Sequence, residues 1–121
     1  MRLVMDTSSI VFAVSNHVDP FSAAEIEFPG CEIVLSRGVI RELKGLGSGK
    51  SRHAGYAKAA AGMLAAHRVT VLDDNSTVDD WIVKYATESN ALVCTNDSGL
   101  KARILELGGA VIGITRSGKF R

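Results

Sequence analysis

The chain predicts an α/β fold: one domain with a mostly parallel central sheet of about five strands flanked by helices. Three observations lead there. Short apolar runs alternate with amphipathic segments from end to end. The runs are rich in Val, Ile and Leu without polar interruption, as strands buried on both faces of a parallel sheet are. Capping residues stand at the junctions, so that a helix can follow nearly every strand.

Taken in order, a strand is expected at 2–6, where Leu3-Val4-Met5 runs into Asp6, and a helix at 7–15. Asp19-Pro20 pairs an N-cap with proline at the first helical position and opens a second helix, 20–28. A strand at 31–35 leads through the cap Ser36 into a helix at 37–46, whose apolar stripe is Val39, Ile40, Leu43 and Leu46. A helix at 53–67 and a strand at 69–73 follow. Thr77 caps a helix at 77–90, a strand occupies 91–95, and a last helix at 98–107 stops at Gly108-Gly109 before a strand at 110–114. The tail from about 116 to 121 is left free to be flexible.

With 121 residues the domain can bury a real core but has no room for a second. The composition, 46% hydrophobic and 22% charged with only two prolines, argues against disorder. A net charge of +1 gives no global case for nucleic acid, so any basic surface must be local: Arg116, Lys119 and Arg121, or Lys50-Ser51-Arg52-His53. Cys31 and Cys94 lack the spacing of a zinc site and read as free thiols in a reducing compartment. Asp6-Thr7-Ser8-Ser9 interrupts the N-terminus before an apolar leader core could form, and no run approaches the ~18 residues of a membrane span. A cytoplasmic protein with no membrane partner is expected.

The stretch Gly45-Leu46-Gly47-Ser48-Gly49-Lys50-Ser51 imitates a phosphate-binding loop, but Lys44 stands where the motif needs its first glycine. The glycines also follow a helix instead of a strand, so they end that helix and form a connection beside Glu42.

Four acids, Asp6, Glu42, Asp79 and Asp97, stand where strand ends and helices can aim them at one point. Carboxylates at the C-terminal ends of parallel strands fall in the crevice where open α/β sheets bind ligands. An all-oxygen, strongly negative pocket calls for a hard divalent cation. Each acid also has a structural role open to it. Asp6 could cap the first helix, although Thr7 or Ser8 could do so and leave it free. Either Asn96 or Asp97 could cap the last helix. Thr95 and Asn96 are neutral groups able to orient a carboxylate or a water. Glu42 sits at the edge of its stripe, roughly 90° off centre. Asp79 falls roughly 40° from the apolar centre of its helix and Asp80 roughly 140° away. Asp80 therefore faces solvent and completes a Thr77-x-x-Asp80 capping box, while Asp79 turns inward. His17, His53 and His67 read as surface residues, and Trp81 with Tyr85, one turn apart, as packing.

Together these segments resemble the PIN domains. The strand ending Val4-Met5-Asp6-Thr7-Ser8 matches that family's opening motif, and Val39-Ile40-Arg41-Glu42-Leu43 its helical glutamate. Val78-Asp79-Asp80-Trp81-Ile82-Val83 matches its central acidic helix start, and 91–103 its last acidic motif. The last motif, with Val111-Ile112-Gly113-Ile114, is especially similar to the PIN nucleases of small-subunit ribosomal RNA processing and their archaeal relatives. The resemblance covers residues 3 to about 116. It implies a metal-dependent endoribonuclease in which Asp6, Glu42, Asp79 and Asp97 hold one or two Mg²⁺ or Mn²⁺ ions, with Thr95 and Asn96 in support. An RNA substrate and products with a 5′ phosphate and a 3′ hydroxyl are implied as well. A homodimer, a ribosome-assembly partner or an antitoxin stays open, since PIN toxins share the four acids. A nuclease-dead scaffold binding RNA or protein is a rival. So is a phospho-acceptor domain, although it gives Glu42 no role. The chain departs from the zinc-bearing PIN nucleases in having no zinc ribbon, and its 45–51 loop is only weakly basic.

Overall fold

The computed structural model describes residues 1–121. Its strands are β1 (Arg2–Met5), β2 (Glu32–Ser36), β3 (Val69–Leu72), β4 (Leu92–Cys94) and β5 (Ala110–Ile112). Its helices are α1 (Thr7–Ser15), α2 (Pro20–Glu27), α3 (Arg37–Gly47), α4 (Arg52–Met63), α5 (Val78–Ser89) and α6 (Ser98–Glu106). All eleven expected elements are present. The helix expected over 53–67 ends at Met63 and tightens into a 3₁₀ turn at Leu64–Ala66.

The sheet order is β3-β2-β1-β4-β5, and every pair is parallel. From β1 the chain moves outward through β2 to β3, then crosses back through α5 to β4 on the other side of β1. The order therefore reverses between β1 and β4, and a crevice opens beyond their carboxyl ends.

Alternate residues along each strand feed opposite faces. Leu3, Met5, Ile33 and Leu35 join Ile10, Phe21, Val39 and Leu43 in a core under α1 to α4. Val4, Val34 and Val93 join Ile82, Ala86, Leu100 and Ile104 under α5 and α6. Burial on both faces explains the unbroken apolar runs Leu3–Met5, Ile33–Leu35 and Leu92–Cys94 of the three central strands. No helix is long and apolar enough to cross a membrane. Both cysteines are free, Cys94 buried and Cys31 partly so.

The tail does not hang loose. Gly113 and Arg121 exchange backbone hydrogen bonds of 2.7 and 2.9 Å, and Ile114 pairs with Phe120 in an antiparallel bridge. Phe120 is buried against Phe28, edge to face at 5.4 Å. Gly118, at φ +84°, makes the reversal, in a region that favours glycine.

Candidate functional site

Asp6 follows β1 and caps α1 itself. Its Oδ1 accepts from the Ser9 amide at 2.9 Å, and its Oδ2 accepts from Ser8 Oγ at 2.9 Å and Thr95 Oγ1 at 2.6 Å. The side chain that could have been released by a neighbouring cap is instead buried and held by three donors. Asp97 does the corresponding work after β4: its Oδ1 accepts from the Gly99 and Leu100 amides at 2.8 and 3.0 Å. Asn96 is not the cap. Its side-chain amide donates to the Ile114 carbonyl at 3.1 Å, and its Oδ1 accepts from the Ile114 amide at 2.9 Å. A side chain thus continues the β4–β5 pairing two residues past the last pair, Cys94 and Ile112. Asn96 therefore orients the chain after β5 and no carboxylate.

Thr95 links the two strand-end acids. Its buried hydroxyl donates to Asp6 and accepts from the Asp97 amide at 3.0 Å. Beneath it, burial pushes the Cys94 thiol up to about 12, with Ser9 opposing and the Asp6 charge adding to the rise, so this thiol is inert.

The other two acids come from helices and, like Asp97 and unlike Asp6, are exposed. Asp79 lies in the first turn of α5. Burial raises its pKa, and the charges of Asp97 and Asp6 raise it further, against a smaller pull from Arg103. Glu42, on α3, is raised by burial too, and by Asp79, Asp6 and Asp74. The Thr7 hydroxyl tempers that rise but lies outside hydrogen-bond geometry, and Thr7 Oγ1 is the one buried side-chain polar atom without a partner.

These groups share a cleft of about 170 Å³ lined by Asp6, Thr7, Ser8, Glu42, Val78, Asp79 and Asp97. All four of these carboxylates line the same cleft, at the point where the strand order reverses. Larger hollows lie elsewhere. The largest, about 540 Å³, runs past Asp80, Trp81 and Tyr85. Those two rings stack on each other at 4.8 Å and 9° and pack against the second core.

Asp80 turns away from the cleft, as its helical phase predicts. Thr77 Oγ1 accepts from the Asp80 amide at 3.2 Å, but the return bond of a capping box is not made. The Asp80 carboxylate instead takes Arg103 of α6 at 2.6 Å, the contact that lowers its pKa.

Two residues escaped the sequence reading. Asp74 has a side chain only 2% exposed; its Oδ2 accepts from the Gly38 amide at 3.2 Å and its Oδ1 from Arg41 at 3.1 Å. A Cβ at Gly38 would collide with Asp74 Oδ2 and come within 2.7 Å of Val78 Cγ2. This contact draws the start of α3 onto the turn before α5 and so sets Glu42 opposite Asp79. The partners are 36 residues apart, and the only local signal was the Asp73-Asp74 pair before a turn. His67, expected at the surface, has a side chain only 11% exposed, between Asp19 and Glu25.

The donors in the cleft are all oxygen, the chemistry of a hard cation, and the unpaired Thr7 hydroxyl adds one more. As the side chains stand, no three His, Cys, Asp or Glu groups converge closely enough to hold an ion. The donor set fits; the closure around a metal is not preformed.

A family model described as a PIN like domain matches residues 3–117. Among solved structures, the PIN domain endonuclease Utp24 superposes with a TM-score of 0.80 at 25% identity, over 99% of this chain and 89% of that one. VapBC2 from Rickettsia felis, bound to a DNA fragment from its promoter, gives 0.69 at 18% identity, over 95% of this chain and 100% of that one. VapBC-1 from nontypeable Haemophilus influenzae gives 0.62 at 20% identity, over 92% and 96%. The last two show likeness of fold alone. No curated protein matches the chain significantly.

Proposed function

The chain belongs to the PIN-like domain family, and from that premise we propose that it is a divalent-metal-dependent endoribonuclease. The observation that carries this reading is the meeting of Asp6, Glu42, Asp79 and Asp97 in one cleft at the reversal of strand order. Four like charges in a small space are costly unless a cation joins them.

Asp6, Glu42, Asp79 and Asp97 would hold one or two Mg²⁺ or Mn²⁺ ions. When bound, such an ion supplies charge neutralisation at the scissile phosphate and a water acidic enough to attack it. The chain contributes the rest. Asp6 and Asp97 present carboxylates fixed by caps, and Thr95 keeps them in register. Glu42 and Asp79, raised in the metal-free chain by burial and by neighbouring carboxylates, are the groups a cation would relieve most.

A role in ribosomal RNA processing is supported by the motifs at 78–80 and 95–101 and by the 25% identity to the endonuclease Utp24. A toxin restrained by an antitoxin would use the same cleft, and growth arrest on expression would reveal it.

The test is cleavage of a labelled RNA with a hairpin and a single-stranded tail, in Mn²⁺, Mg²⁺ or EDTA, comparing wild type with Asp97→Asn. Asparagine can keep the α6 cap, so the variant should fold. Metal-dependent cutting that the variant loses is the expected result. A folded wild type that cuts in neither metal would sink the nuclease reading.

A further inference from the structure

We infer that Thr7 is the residue that positions Glu42: its buried hydroxyl is one half of a hydrogen bond that closes onto the Glu42 carboxylate when a cation occupies the cleft. This rests on the metal-dependent reading above and deepens it, by naming what holds the one glutamate among the four acids.

The four acids are not held equally. Asp6 accepts from three donors, and Asp97 accepts from two backbone amides. Asp79 reaches the cleft on a short side chain from the first turn of α5. Glu42 stands on a longer side chain, with more rotamer freedom to lose on being ordered. It enters no ion pair, and the neighbouring Arg41 is turned to Asp74 at 3.1 Å. A carboxylate in that state needs a supporting donor before it can present its oxygens to an ion in one orientation.

Thr7 is the mirror case, a donor with nothing to support. It opens α1, but the cap its hydroxyl could have supplied comes from Asp6. Thr7 is only 8% exposed, lines the same cleft as Glu42, and its Oγ1 is the one buried side-chain polar atom without a partner. A buried hydroxyl with no acceptor destabilises the fold, so a state that supplies the acceptor gains by it. Asp6 is not that acceptor, since its two oxygens already take three donors. Glu42 is the carboxylate on which the Thr7 hydroxyl acts, favouring its charged form although the bond stays open. The charges of Asp79, Asp6 and Asp74 oppose a closer approach of Glu42, and a cation among them removes that opposition.

Calorimetric titration of Mn²⁺ into the full chain tests this, with Thr7→Val, Thr7→Ser and Glu42→Ala beside wild type. Thr7→Val keeps the shape without the donor and should bind Mn²⁺ about tenfold more weakly; Thr7→Ser keeps the donor and should recover most of that loss. In a Glu42→Ala chain the Thr7→Val change should weaken binding no further, because the carboxylate it acts through is gone. Without metal, Thr7→Val should resist denaturant at least as well as wild type, having lost an unpaired buried hydroxyl. Equal Mn²⁺ affinity of wild type and Thr7→Val would overturn the inference and leave the metal reading intact. So would an equal loss in the Glu42→Ala chain, the mark of a hydroxyl that binds the ion directly. A Thr7→Val chain that unfolds well before wild type in the absence of metal would give the hydroxyl a purely structural bond and overturn it too. A folded wild type that takes up no Mn²⁺ would sink the metal reading and this inference together.

Discussion

Carboxylates gather in two places in this molecule. At the carboxyl edge of the sheet, Asp6, Glu42, Asp79 and Asp97 line one cleft with no cation among them. Beside α2, Asp19 and Glu25 bracket His67, with Asp19 Oδ2 2.9 Å from Nε2 and Glu25 Oε1 3.1 Å from Nδ1. Both sites place an aspartate at a helix N-cap, so the local chemistry is shared. The electrostatics are opposite. Burial would raise Asp19, but the hydrogen bond and charge of His67, with the Ser22 and Phe21 amides, bring it below the usual carboxylate range. His67 is raised, chiefly by its hydrogen bond to Asp19. Glu42 is raised by burial and by the charges of Asp79, Asp6 and Asp74, and Asp79 by burial and by those of Asp97 and Asp6. One cluster is complete within the chain; the other stays incomplete until something positive arrives.

The largest effect expected from that difference is on activity. Asp6→Asn, Asp79→Asn or Asp97→Asn should each abolish metal-dependent cleavage, while Asp80→Asn, which loses only an exposed partner of Arg103, should leave it near wild type. Equal losses at Asp79 and Asp80 in the cleavage assay would break the distinction between the cleft and its surroundings.

Next comes the tie between the strand ends. Thr95→Val removes the donor to Asp6 and the acceptor for the Asp97 amide, and should cost about 1–3 kcal/mol in denaturant unfolding. It should also weaken cleavage, because the two fixed acids lose their common support. A Gly38→Ala chain should fold yet bind Mn²⁺ more weakly in calorimetry, since its Cβ forces α3 away from Asp74 and carries Glu42 with it. Unchanged Mn²⁺ affinity would show that Asp74 sets no distance that matters.

The pH dependence of stability separates the two clusters most directly. For the metal-free chain, raised Glu42 and Asp79 mean that the folded state holds protons the unfolded state has released. Their contribution falls as pH rises from the ordinary carboxylate values through the raised ones. Glu42→Gln should flatten that fall. His67 works in the other window: its contribution is complete below the ordinary histidine value and is lost as pH rises through the raised one. His67→Gln should remove that second decline and leave the first. Unfolding free energies from pH 3 to 9 would expose either failure.

Much of this was legible in the chain. Apolar runs marked all five strands because the sheet is covered on both faces; the polar exceptions are Arg2 and Glu32 at exposed strand starts and Thr70 on the edge strand β3. Helical phase separated Asp79 from Asp80, because the hydrophobic stripe of α5 fixes its rotation. The caps were harder to read. Four adjacent residues, Asp6 to Ser9, all carry or can reach a capping oxygen, and local sequence gives no reason to choose among them. The choice fell to Asp6 because Thr95, 89 residues away, donates to its second oxygen. Asn96 lost the cap at α6 for a similar reason, being held by Ile114. The tail looked free because nothing near it in sequence says that Phe28 awaits Phe120.

The sequence by itself determined the elements, their order, the faces they bury and the four acids that share a cleft. Those follow from periodicity and from forces acting within a few residues. Tertiary structure decided which oxygens remain free, how α3 is set against α5 through Asp74 and Gly38, and where opposite charges cancel and like charges do not. Those depend on hydrogen bonds and Coulomb terms between groups tens of residues apart, and such terms take a value only once the chain has closed.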